Sequence, residues 1–120
     1  MSKIVYVITN DPEQRCELVS SVFAQALVAL SFGHSCEIYL MDDGVHIVEN
    51  GRLDGLTSAF GSMSELLQNF KELGGKLLAC IPAMAARSVN RENCIPEVDD
   101  YVNAPALIES SITAGAVFTF

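Results

Sequence analysis

The stretch KIVYVITNDPEQRCELVSSVFAQALVALSFGHSCEIYL, Lys3 to Leu40, decides the fold. It opens on KIVYVITN, a β-branched and aromatic run that is apolar almost throughout. A strand with one wet face alternates, whereas a continuous apolar strand is buried on both faces, as in a parallel sheet. Asp11 can then cap a helix, Pro12 suits a first helical position and Glu13 favours a first turn. A helix is therefore expected to begin at this point. Leu18, Val22, Phe23, Ala26, Leu27 and Leu30 recur at helical spacing. Gly33 ends the helix, with His34 near its negative end. SCEIYLMDDG supplies a second strand and a turn. Strand, helix and strand within about forty residues form one crossover unit, which is right-handed almost without exception.

Outward from this unit the alternation continues. GVHIVENGRLDGLTSAFGS, Gly44 to Ser62, is irregular and rich in glycine, and reads as a small excursion or an arm reaching another subunit. Ser62 or Ser64 caps SELLQNFKELGG, an amphipathic helix stopped by Gly74 and Gly75. KLLACI is a third strand, and PAMAARSV starts a short helix with Pro82 in its first turn. A loop follows, with a brief strand near Val98 to Val102. APALIESSITAG is a last, weak helix and AVFTF a closing strand. There is no internal repeat, low-complexity segment or linker. The expectation is a single α/β domain over residues 1–120, three-layered on a parallel sheet.

Composition narrows the function. The formal net charge is −8, which disfavours nucleic acid bound through its phosphates. The seven Lys and Arg residues are scattered, so no basic membrane patch forms. No run reaches the length of a membrane span, and the opening residues lack the pattern of a secretory signal. A cytoplasmic address is expected, with Cys16, Cys36, Cys80 and Cys94 as thiols. Half of the residues are hydrophobic and the mean hydropathy is +0.32. For a small domain this is an excess of apolar material, some of it expected to meet another subunit.

In open α/β sheets, ligand and reaction sites gather beyond the carboxyl ends of strands. Three such ends carry polar or reactive groups: Thr9-Asn10-Asp11, Asp42-Asp43-Gly44, and Cys80. Cys80 ends its strand just ahead of a helix, where unpaired N–H groups and the helix dipole favour an anion such as a thiolate. The opposing reading is a core thiol, since free cysteine is among the most buried residue types. Arg87, nearly two turns further on, is placed to reach the mouth of this site, and His46 to approach it from the Asp-Gly turn. Cys16 and Cys36 read as packing residues, and Cys94, in a polar loop, as either an exposed second thiol or, the preferred reading, a structural or incidental one. Asp42 and Asp43 are adjacent in a turn, which usually means solvated carboxylates rather than an acid–base pair.

Several chemistries are disfavoured. The histidines and cysteines lack metal-ligand spacing, and neither G-x-x-x-x-G-K-[ST] nor G-x-G-x-x-G occurs. The loop TNDPEQ lacks the glycines and hydroxyls of a flavin phosphate cradle, and a receiver domain would carry an aspartate where Cys80 stands. No cofactor and no metal are expected.

Three segments carry a resemblance: ALVALSFGHSCEIYLM, the DDGVH turn after the second strand, and LGGKLLACIPAMAARSV, in which a cysteine ends the third strand and an Ala-Arg pair closes a short helix. Through them the chain resembles the DsrE/DsrF-like family, which includes TusD/DsrE-type sulfur-relay and YchN-type proteins. That resemblance implies a three-layer α/β/α domain on a mainly parallel five-stranded sheet, assembled as trimers or hexamers. It also implies that Cys80 accepts a sulfane sulfur as a persulfide and passes it to a partner protein thiol, with Asn10, Asp43, Gly44, His46, Pro82 and Arg87 lining the site. Two positions depart from the family pattern. Ala83 stands where many members have a second cysteine, which excludes a C-x-x-C couple. Ser88 stands where a glycine often follows the arginine. The competing reading is a non-catalytic oligomeric module with a small-ligand pocket between subunits.

Overall fold

The computed structural model describes residues 1–120. Seven strands and four α-helices alternate in the order β1 (Lys3–Ile8), α1 (Cys16–Ser31), β2 (Ser35–Leu40), β3 (Thr57–Ser58), β4 (Gly61–Ser62), α2 (Met63–Glu72), β5 (Lys76–Cys80), α3 (Ile81–Ala86), β6 (Asp100–Val102), α4 (Ala104–Ile112) and β7 (Ala116–Thr119). A 3₁₀ helix, Asp42–Val48, follows β2. The main sheet has the order β6-β5-β2-β1-β7, and all of its pairings are parallel. Strands β3 and β4 form a separate antiparallel hairpin. No helix is long and apolar enough to cross a membrane.

Alternation along the strands explains why both faces of the sheet are apolar. Tyr6, Ile8, Cys36, Ile38, Leu40, Leu77 and Ala79 point into a main core of 23 buried residues beneath α1, α2 and α3. Val5, Val7 and Tyr39 point the other way, into a core of only three buried residues beneath α4. The layers are thus unequal, and α4 has no fully buried residue. Ile108 and Ile112 on α4 remain exposed, as do Val117 and Phe118 on β7. What holds α4 is partly polar: Ser110 Oγ donates to Glu37 Oε1, which also accepts from Tyr39 Oη at 3.1 Å.

The structure revises two expectations and decides a third. Helix α1 begins at Cys16 rather than at Pro12. Asp11 Oδ1 does accept backbone N–H bonds, from Glu13 at 2.7 Å and Gln14 at 3.2 Å, but it closes a turn ahead of the helix. Aspartate followed by proline serves a turn as well as an N-cap, so the pattern alone does not separate them. The segment after Gly51 is no outstretched arm. Its Leu53 is buried, and its hairpin lies on α1 through a weak Cys16 Sγ contact to the Thr57 carbonyl at 3.6 Å. Finally, of the two readings of Cys94 the exposed one fails: the residue is half-buried against the main core, with Sγ donating to the Asn90 carbonyl at 3.2 Å.

Candidate functional site

The carboxyl ends of β1, β2 and β5 lie side by side, because β2 sits between β1 and β5 in the parallel sheet. The polypeptide leaving β2 turns back over this edge as the 3₁₀ helix. Met41 N–H donates to the Ile8 carbonyl at 2.9 Å, and Gly44 N–H donates to the Met41 carbonyl at 2.8 Å. Gly44 rests directly on β1: a Cβ there would lie 2.1 Å from the Ile8 carbonyl oxygen. A side chain at this position is incompatible with such an approach, which is why the DDGVH turn has glycine.

Cys80 is the last residue of β5 and the N-cap of α3. It is 7 % exposed and belongs to the main core cluster. Its sulfur makes no capping hydrogen bond, and α3 has only six residues, with Pro82 in its first turn. The expected anion cradle from backbone N–H groups is therefore absent from the geometry. Neither the proline nor a helix of this length supplies one. None of the five surface clefts includes Cys80 among its lining residues.

Above Cys80, α3 and the 3₁₀ helix pack against each other, and the 3₁₀ helix also packs on β5. Arg87, the C-cap of α3, joins the two covers: its Nε donates to Asp43 Oδ1 at 2.7 Å and its Nη1 to the Ala83 carbonyl at 3.2 Å. The Arg87 guanidinium holds the Asp43 carboxyl below the usual carboxylate range. Asp43 is therefore ionised throughout the neutral range, and the pair persists until acid carries the pH below the carboxyl's ordinary value. Two non-glycine residues have positive φ, and they flank this pair in sequence. Asp42 has φ 46° and Ser88 φ 54°. Ser88 closes α3 in a left-handed turn, with Ser88 N–H donating to the Ala85 carbonyl and Val89 N–H to the Met84 carbonyl. Glycine enters this conformation without strain, whereas serine holds it at a cost of about 1 kcal/mol.

The remaining candidates are dispersed. Asn10 is half-buried just past β1, and Pro82 is exposed on the first turn of α3. His46 turns to Glu49 rather than to the thiol, with Nδ1 to Oε1 at 2.6 Å. Glu49 in turn meets Arg52, whose guanidinium also reaches Asp11 and Glu13. This network ties the loop after β1 to the 3₁₀ helix; His46, Glu49 and Arg52 lie three residues apart, and the part the sequence reading missed is the long-range link from Arg52 to Asp11 and Glu13. Burial pushes the Cys36 thiol up to about 11 and also raises that of Cys94. No cluster of three or more His, Cys, Asp or Glu side chains is arranged to hold a metal ion.

Among known proteins, the model of the DsrE/DsrF-like family matches residues 2–120. Two solved structures share the fold. The YchN protein from E. coli superposes with a TM-score of 0.78 at 20 % identity, covering 100 % of both chains. MTH1491 from Methanobacterium thermoautotrophicum, a protein of unknown function, superposes with a TM-score of 0.70 at 18 % identity, covering 98 % of this chain and 97 % of its own. No curated protein sequence matches this chain.

Proposed function

The chain belongs to the DsrE/DsrF-like family, and from that membership we propose that it is a sulfur-relay protein that carries a persulfide on Cys80 and hands it to a partner protein's thiol. One observation carries the reading. Of the four free cysteines, Cys80 alone stands at the carboxyl end of a parallel strand, as the N-cap of the helix that Arg87 ties to Asp43. The step is a thiol–persulfide exchange. The Cys80 thiolate attacks the outer sulfur of a donor R–S–SH, a new S–S bond forms on Cys80, the donor S–S bond breaks, and R–S⁻ leaves. The exchange is redox-neutral overall, and the proton stays on the transferred sulfur or passes to water. It requires neither metal nor cofactor. With Ala83 in place of a second thiol, the load cannot be discharged as an intramolecular disulfide across a C-x-x-C pair, so it must leave to another protein. Free thiols suit a reducing, cytoplasmic setting.

Intact mass after incubation with polysulfide tests this. The wild-type chain is expected to gain sulfur-sized increments that a reductant removes, and Cys80→Ser is expected to lose at least nine-tenths of the uptake. Equal uptake by the variant sinks the reading.

A second reading is favoured by the near-closure of Cys80 and by the apolar groups left on the surface. On this view the chain is an assembly module with a ligand pocket between subunits. Ile112 is 76 % exposed and Phe32 75 %, and Ile108, Val117 and Phe118 add to the uncovered area. Both readings share one expectation, a homotrimer or homohexamer that buries these groups. Sedimentation equilibrium of the wild-type chain should give three or six chain masses. A monomer at all concentrations removes the assembly module and leaves the carrier to act alone.

A further inference from the structure

We propose that the Asp43–Arg87 pair is a latch that keeps α3 closed on the 3₁₀ helix over Cys80, and that a sulfur donor gains access only when this latch opens. The inference deepens the carrier reading and rests on it for its purpose, but the latch itself stands on geometry. A thiol that accepts sulfur from another protein must be touched by that protein's sulfur, yet Cys80 is 7 % exposed and lines no cleft. Something over it has to move.

The cover is built to move. Helix α3 has six residues, three of them alanines, and it is anchored to the main core only through Ala83 and Met84, with Val89 just beyond. A short helix with so few buried contacts lies at the low end of local stability. Beyond packing, the polar link from its far end to the 3₁₀ helix is Arg87, through Asp43 Oδ1 at 2.7 Å. The two chain neighbours of this pair, Asp42 and Ser88, are the only non-glycine residues with left-handed backbone. Ser88, at the end of the moving helix, relaxes if α3 rotates, so strain relief there favours the open form once the charge pair is broken. The pair itself is accessible to solvent and ions, with Asp43 57 % and Arg87 27 % exposed, so water and salt compete with it directly. The Gly44 contact on the Ile8 carbonyl pins the 3₁₀ helix right beside Asp43, which makes α3 the moving part.

Alkylation of the folded, full-length chain measures this. N-ethylmaleimide labelling followed by peptide mass spectrometry gives a rate for each thiol. Cys36, 1 % exposed beneath α1, reports global unfolding. Asp43→Asn and Arg87→Gln are each expected to raise the Cys80 rate about two- to fivefold, the size of one solvent-exposed ion pair, with Cys36 unchanged. Salt near 1 M, where the screening length is about 3 Å, should speed Cys80 in the wild type by a similar factor and leave the variants nearly unaffected. A Cys80 rate unmoved in both variants overturns the latch. So does a rise matched by Cys36, which means loosening of the whole domain, and so does a wild-type rate indifferent to salt. The readout is independent of sulfur uptake. Faster labelling in the variants with no persulfide formed in any of them leaves the latch standing and removes the carrier.

Discussion

Replacing Gly44 by alanine is expected to cost about 3 kcal/mol or more of folding stability, toward the upper end for an overpacked site. The added Cβ would lie 2.1 Å from the Ile8 carbonyl oxygen and 2.9 Å from its carbon, both backbone atoms that cannot turn aside. That oxygen already accepts the Met41 N–H at 2.9 Å, the bond that ties the N-cap of the 3₁₀ helix to β1. Relieving the clash lifts residues 42–48 off β1, and with them Val45, Ile47 and Val48, all 0 % exposed in the main core. Urea denaturation of the variant should show a lower midpoint with an unchanged slope. A loss under about 1 kcal/mol means that the turn shifts freely and that the close approach does not hold the site.

The second large effect lies in the same core, where α2 meets α1. Phe70→Ala should cost about 3–5 kcal/mol, the usual range for deleting a buried aromatic ring. Phe70 is 0 % exposed and meets Phe23 edge-on, with centroids 5.6 Å apart, so one ring pair joins α2 to α1. At Gly75 a Cβ would come within 2.3 Å of the same Phe70 ring. Gly75→Ala is therefore destabilising in the wild-type chain but much less so when Phe70 is already alanine, because the ring it meets is gone. Thermal unfolding of the two single variants and the double variant closes this cycle. Additive losses would show that Gly75 matters for its backbone and not for the ring.

Much of the architecture was legible because it rests on local pattern. The continuous apolar runs at Lys3–Ile8 and Lys76–Cys80 are strands buried on both faces, and Ser62 caps α2 with its hydroxyl accepting the Glu65 N–H as its spacing suggests. The brief strand expected near Val98 to Val102 is β6. Errors came where one pattern serves two conformations. Asp11-Pro12-Glu13 fits an N-cap and a turn alike, and DDGVHIV, which reads as a turn, winds into a 3₁₀ helix because Val45, Ile47 and Val48 find the core. The site was legible as far as strand ends go, which brings Cys80 and Asp43 to one edge. His46 meets Glu49 at i, i+3 because the segment winds into a 3₁₀ helix, whereas the partnership of Asp43 with Arg87, 44 residues away, is a tertiary choice that no spacing announces. The covering of Cys80 belongs to the same class. A strand-end position says where a thiol is, and the packing of α3 says whether it can be reached.

The sheet also distributes its tolerance to change unevenly. Beneath α1 and α2 nearly every side chain is locked by many neighbours, so a substitution there is felt at once. Beneath α4 three buried residues and a Ser-Glu-Tyr cluster do most of the holding, and the outer surface of that helix, with Ile108 and Ile112, is left uncovered by the rest of the chain. Mutations on this thin side carry little penalty to the folding of the single chain and act instead on whatever that surface associates with. Descendants of such a chain can acquire new associates by repainting one helix while the chemistry they inherit stays as it was.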